Sequence, residues 1–202
     1  MRVSHYHRDA TRVRELASRL FALPHDATSP RQTPALILRG WSLAVQGRAP
    51  EGIEQMERGL AAFRAAGMVE AWSYYQSMLA EGYLLVGRAE DALRILADAL
   101  AVATSTAWWL PELCRLQGEG LLALPAPQLD EATSSFRRAI AVARSQGARA
   151  LELRAAVGLY RLAGGAGRED DGRQALETLL GWFGDGQAPP DLLEARELLA
   201  RR

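Results

Sequence analysis

Large apolar residues recur along this chain at intervals of about forty residues, a spacing typical of stacked helical units. Leu16, Met56, Leu96, Phe136 and Leu176 form one column, and Leu20, Leu60, Leu100, Ile140 and Leu180 a second. A third column holds Arg12, Gly52, Ala92, Ala132 and Gly172, small in its last four members. Within each copy the columns lie four residues apart, so they line one face of a helix. The expectation is an all-α solenoid of helical hairpins, each a helix A, a turn and a helix B.

The same pattern predicts where the elements lie. A helix B over residues 9–22 leads, without a complete helix A of its own. Full hairpins follow over 33–46 and 51–66, 70–86 and 90–104, 109–123 and 129–146, and 149–163 and 169–183. A capping helix over 190–201 closes the chain. This gives three regions: a leading half-repeat and linker over 1–32, repeats over 33–186, and a cap over 187–202. Pro24, Pro30 and Pro34 mark a looser approach to the first full hairpin, and Pro125 and Pro127 break the third. Gly47 and Gly87 stand where helix A should end, as does Gly167, and Gly67 and Gly147 where helix B should end. Acidic residues follow the first kind of turn, at Glu51, at Glu90 and Asp91, and at Glu169, Asp170 and Asp171. They fall at helix N-termini, where the helix dipole favours negative charge. Ala99 and Ala139 are expected to sit at close helix contacts, with Met56, Leu96, Phe136 and Leu176 filling the space between hairpins.

Charge and composition narrow the partners. Arg accounts for all 24 residues counted as Lys or Arg, against 24 acidic ones, and the formal net charge is +0. That balance gives no general electrostatic hold on nucleic acid or an anionic membrane, so neither is expected as a direct partner. Cys114 is the single cysteine. With no intrachain disulfide, no apolar leader after Met1 and no apolar run of bilayer length, the expected location is the cytoplasm.

The hairpins resemble tetratricopeptide repeats. Gly40 and Leu43, Ala80 and Tyr83, and Gly118 and Leu121 match that motif's small-then-large pair in helix A. Ala92, Leu96 and Ala99, and Ala132, Phe136 and Ala139, match its helix B trio. The period is longer than the usual one, and the motif's terminal Pro is absent. The resemblance implies a right-handed superhelix of about four full hairpins. A narrower resemblance spans most of residues 35–200, through stretches such as Leu38-Arg39-Gly40-Trp41-Ser42-Leu43-Ala44 and Gly147-Ala148-Arg149-Ala150-Leu151-Glu152-Leu153-Arg154. These are similar to the C-terminal repeats of large bacterial regulators that carry a nucleotide-cyclase or DNA-binding domain and a P-loop ATPase. That resemblance implies a regulatory or sensing arm with an ATPase or cyclase domain in cis, and it carries over no catalytic residue.

Candidate chemistry is sparse. His5 and His7, two apart, would point away from each other on a helix and read as solvated residues, with His25 the third histidine. Cys114 reads as a packed thiol. Gly164-Gly165-Ala166-Gly167-Arg168 lacks the Gly-Lys-Ser/Thr ending of a phosphate loop and reads as a turn. Of Trp108 and Trp109, one ring is expected in the core and the other outside, and Trp182-Phe183 is expected to pack under the capping helix. No catalytic residue, metal site or cofactor is called for, and an enzyme is not expected. If helix A lines a concave groove, Ile37, Trp41, Tyr74, Ser77, Glu81, Glu112, Arg115 and Glu119 face a protein or peptide ligand. The alternative is a free-standing scaffold that self-associates through Leu16 and Leu20 of the leading helix.

Overall fold

Two turns repeat almost verbatim, Gly47-Arg48-Ala49 and Gly87-Arg88-Ala89, and together they end one helix and start the next. Gly47 and Gly87 take φ of 87° and 73°, a left-handed conformation that costs a residue with a β-carbon roughly 1–2 kcal/mol. The Arg48 and Arg88 amides each donate to the carbonyl five residues back, on Leu43 and Tyr83, at 2.9 Å. This closes a Schellman turn over the helix-terminal carbonyls. Each arginine side chain then pairs with an acid three residues on, Arg48 with Glu51 and Arg88 with Asp91. Asp91 also accepts from Arg94, and these two guanidinium bonds, Arg94 first, hold its carboxyl below the ordinary range.

The computed structural model describes residues 1–22, 32–69, 71–104, 107–164, 169–183 and 190–200. Among these, regular structure is entirely helical: α1 (Arg2–Tyr6), α2 (Ala10–Phe21), α3 (Gln32–Val45), α4 (Ala49–Ala65), α5 (Trp72–Leu85), α6 (Ala89–Val102), α7 (Leu110–Leu122), α8 (Leu129–Ser145), α9 (Arg149–Gly164), α10 (Glu169–Phe183) and α11 (Pro190–Ala200). Each helix anticipated from the pattern is present, its ends within one or two residues of the expected ones. The short α1 has no counterpart in that reading. The chain forms two compact units, Met1–Val102 and Ala103–Arg202.

In the first unit α3 packs on α4, α5 on α6, and α2 lies against α3. Val13 and Ala17 are the α2 residues fully buried, while Leu16 and Leu20 are half-buried. The second unit pairs α7 with α8 and α9 with α10, and α11 rests on both α9 and α10. Leu192 and Ala195 of α11 join a cluster with Leu153, Ala156, Val157, Tyr160, Leu176 and Leu179.

One packing device occurs in both units. Met56 on α4 lies between Gly40 of α3 and Gly82 of α5, so that a β-carbon on either glycine would meet it at 2.8 Å. Phe136 on α8 lies between Gly118 of α7 and Gly158 of α9 in the same way. A large helix B residue is thus clamped between its own helix A and the next one, as the column predicted.

Two expectations are corrected. Trp182 is 64% exposed rather than under the cap. On α10, Leu176, Leu179 and Phe183 share the inner face, and Trp182 falls on the other side of the helix. His5 is 3% exposed rather than solvated, because α1 turns it into the protein. Trp109 is buried and Trp108 half-exposed, as expected. Pro24, His25, Pro30, Gly165-Ala166-Gly167-Arg168 and the terminal Arg201-Arg202 lie outside the described residues, as do the side chains of Glu169, Asp170, Asp171 and Gly172.

Candidate functional site

Helices A of the first unit, α3 and α5, present Trp41, Tyr74 and Glu81 to a common spot. Trp41 and Tyr74 are fully buried, and Glu81 is 9% exposed. The Glu81 carboxylate accepts the Trp41 indole N–H at 2.7 Å on Oε2 and Arg8 Nη2 at 2.5 Å on Oε1. A carboxylate this deep is costly unless both oxygens are engaged by donors, preferably charged ones.

The occupant is the chain's own N-terminal segment. His5 sits edge-on to Trp41 and Tyr74, with ring centroids 4.3 and 5.3 Å away. Its Nδ1 lies 3.1 Å from the Tyr74 hydroxyl. Burial, with Tyr75 adding to it, pushes the Tyr74 phenol well above the ordinary tyrosine range, so it stays protonated. Arg8 passes 5.8 Å over the Trp41 ring, and Arg2 lies 6.0 Å from the rings of Tyr74 and Tyr75. Ser42 on α3 donates to the Ala10 carbonyl at 2.7 Å, fixing the start of α2.

Five of the residues expected in a groove belong to this unit, and they divide. Trp41, Tyr74 and Glu81 converge under α1. The Ser77 hydroxyl donates to the Tyr74 carbonyl of its own helix at 2.7 Å. Ile37 faces the hairpin interior instead, where its Cγ1 lies 2.5 Å from the place a Gly59 β-carbon would take. The groove reading missed Arg2, His5 and Arg8. Arg2 and His5 lie three apart on α1 and Arg8 lies past its end, and none of them belongs to the repeat that the pattern records.

In the second unit the expected residues form a charge ladder. Arg115 donates through Nε and Nη2 to both oxygens of Glu112 at 3.0 and 2.8 Å, and through Nη1 to Glu119 at 3.4 Å. Glu112 is 2% exposed. Arg154 of α9, itself buried, reaches Glu112 at 3.9 Å and donates through Nε to Asp191 of α11. Buried Glu152 accepts from Arg144 at 2.9 Å and Arg149 at 2.8 Å. Arg154, Asp191 and Glu152 were missed, because an arginine in an apolar helix stripe carries no mark of burial in the sequence.

The two arrangements differ in what they can do. The first offers aromatic edges and one carboxylate, a setting for a guanidinium or ammonium. The second is closed on itself. Among the described residues no group of three His, Cys, Asp or Glu side chains is placed to hold a metal ion. Cys114 is buried, and burial raises its thiol pKa, which keeps it in the unreactive protonated form.

No family model matches the chain. Two crystal structures of nearly identical TPR-like repeats from a kinesin light chain-like protein of Podosopora anserina superpose on it with TM-scores of 0.60 and 0.58. They cover 88% and 100% of this chain and 92% and 98% of theirs, at 17% and 16% identity. The fold is TPR-like. Over 154 residues, 74% of its length, the TPR-like chain is 31% identical to an uncharacterized protein of Rhizobium meliloti (strain 1021). That match is 15% of the relative, so the chain spans a small part of the length of the curated protein it resembles. No described helix is long and apolar enough to cross a membrane.

Proposed function

We propose that the chain is a non-catalytic interaction module that holds a peptide or helix of a protein partner on its helix A face. We further propose that it serves in the bacterial cytoplasm as the regulatory arm of a larger signalling or transcription-control protein, with a P-loop ATPase or nucleotide-cyclase domain in cis. The observation that carries the first part is the grip on α1. Trp41 and Tyr74 already hold His5 of the short α1 by ring contacts and a hydrogen bond, and Glu81 holds Arg8, just past its end, by an ion pair. This is the chemistry of helix-in-groove recognition. Within the second part, membership of a larger protein is supported by the length of the Rhizobium meliloti relative, of which this chain matches 15%.

Each part has its own test. The reading frame upstream of Met1 decides the arm: a frame continuous with a P-loop ATPase or a cyclase supports it, and a nearby stop codon removes it. For the binding face, Trp41→Ala with Glu81→Gln should abolish binding to the protein that co-purifies with the wild-type chain. Undiminished binding by the double variant would move the partner to another surface.

A further inference from the structure

We propose that the cavity at the turn between α4 and α5 binds a small organic acid, with Arg64 taking the carboxylate and the walls taking an apolar body. The site shares no residue with Trp41, Tyr74 and Glu81. It therefore goes beyond the partner-binding reading, and its test neither needs nor touches that reading.

The cavity holds about 430 Å³, a size that suits a small ligand, and its lining belongs wholly to the first unit. Met68, Val69, Trp72 and Val102 give it mostly apolar walls. Val69 and Val102, 84% and 64% exposed, carry that apolar surface out to the mouth. The polar side chains of the lining can all donate. Arg64, from the end of α4, lies 5.0 Å over the Trp72 ring, and Phe63 lies 5.9 Å from the same ring. Among the described residues no carboxylate pairs with Arg64, and neither the Trp72 indole N–H nor the Ser73 hydroxyl has a hydrogen-bond partner. A guanidinium resting on an indole is held in position and keeps its charge, which prepares it for a bidentate carboxylate. An amine would meet a like charge there.

The repeat itself shows what is missing. Gly67 and Gly147 end their helices B at equivalent points, two periods apart. Three residues before Gly147, Arg144 donates to buried Glu152 at 2.9 Å, and Arg149 donates to the other oxygen of Glu152 at 2.8 Å. That turn is closed by a carboxylate of its own. Arg64 stands three residues before Gly67, in the place of Arg144. The small residue of the next helix A then comes thirteen positions after Gly67, at Ala80, but eleven after Gly147, at Gly158. The turn in the first unit is thus two residues longer, and the cavity lies at it. Six positions before the small residue, where the second unit has Glu152, the first has Tyr74. The arginine has kept its place and lost its acid, so the carboxylate that completes the turn comes from a ligand.

The test titrates the full-length chain with phenylacetate and with octanoate, each against its neutral amide, by calorimetry. Each acid should bind about fivefold more tightly than its amide, and Arg64→Gln should erase that preference. Arg64 is exposed, so the variant keeps the fold. Glu70→Gln takes an acid out of the same turn and should not weaken the binding of either acid. Nuclear magnetic resonance on the wild type is the second measurement, independent of any variant's folding. On adding phenylacetate the Trp72 indole signal should shift more than that of any other tryptophan. Failure of both acids to bind at millimolar concentration overturns the proposal, as do equal affinities for acid and amide or a preference that survives Arg64→Gln. A shift centred on another tryptophan overturns the location, and weaker binding after Glu70→Gln overturns the charge assigned to the ligand.

Discussion

The two units each carry a terminal helix of the chain against a helix A, and they hold it differently. In the first unit α1 contributes one buried side chain, His5, and Arg8, in the left-handed turn that closes α1, pairs with Glu81. In the second, α11 inserts Leu192 and Ala195 into an apolar cluster, and Asp191 takes the buried Arg154, which also faces Glu112. Area removed from water is the main stabilising term, and α11 has it while α1 has little. One terminal helix is therefore joined to its unit by apolar packing, and the other by a buried imidazole and the polar contacts around it. The same solenoid logic thus supports a charge ladder in one place and a carboxylate-and-ring seat for the chain's own N-terminal segment in the other.

The largest expected effect tests that contrast directly. Arg154→Met leaves Asp191 deep in the second unit without its guanidinium, and breaking a buried pair in this way costs about 3–5 kcal/mol. Arg8→Ala leaves Glu81, as buried as Asp191, with its Trp41 bond. The Arg8 side chain is more exposed than that of Arg154, so water can take its place and the cost should be smaller, about 1–3 kcal/mol. Urea unfolding followed by circular dichroism measures both. Similar losses would break the comparison, because α1 would then be as integral to its unit as α11.

A second pair of variants sharpens it through the glycine clamps. A β-carbon at Gly158 would lie 2.5 Å from Cε1 of the rigid Phe136 ring, so Gly158→Ala should overpack the second unit and cost about 1–3 kcal/mol. A β-carbon at Gly82 would instead meet Cε of Met56 at 2.8 Å, the far end of a flexible side chain. Met56 can turn aside, and alanine gains up to about 1 kcal/mol over glycine within a helix. Gly82→Ala should be near neutral by thermal unfolding, and a loss matching that of Gly158→Ala would show the first clamp to be as stiff as the second.

Periodicity made the helices legible because it records burial, and the burial in this fold repeats. Met56 and Phe136 could be placed between hairpins from their column alone, and the turns at Gly47 and Gly87 from a three-residue word. The sites were less legible because they depend on departures from the repeat. His5, in a segment with no repeat partner, carries no periodic signal. Arg154 follows Leu151 and precedes Val157 on α9, and its burial goes with carboxylates that meet it from other helices, Asp191 and Glu112. Trp41, Tyr74 and Glu81 could be named together because helix A spacing puts them on one face. Their burial could not, since His5 and Arg8, which lie against them, belong to residues 1–8, outside any helix the pattern predicts.

The smallest effect separates the units by pH. In the first unit Tyr83 donates to Glu57 of the neighbouring helix at 2.7 Å. Burial, then this bond to a carboxylate, pushes its phenol from 10.0 up to about 12. The folded chain therefore keeps a proton that the unfolded chain releases. The stabilisation is complete below pH 10 and is lost as the pH rises through about 12. Tyr83→Phe removes the bond at a cost of about 1 kcal/mol at neutral pH, and this cost should shrink toward zero as the pH approaches 12. Arg154→Met touches neither partner of that bond, so its cost should not share the decline. Unfolding curves for both variants across that alkaline window make the check, and parallel declines would mean that the two units lose stability to base by one shared route.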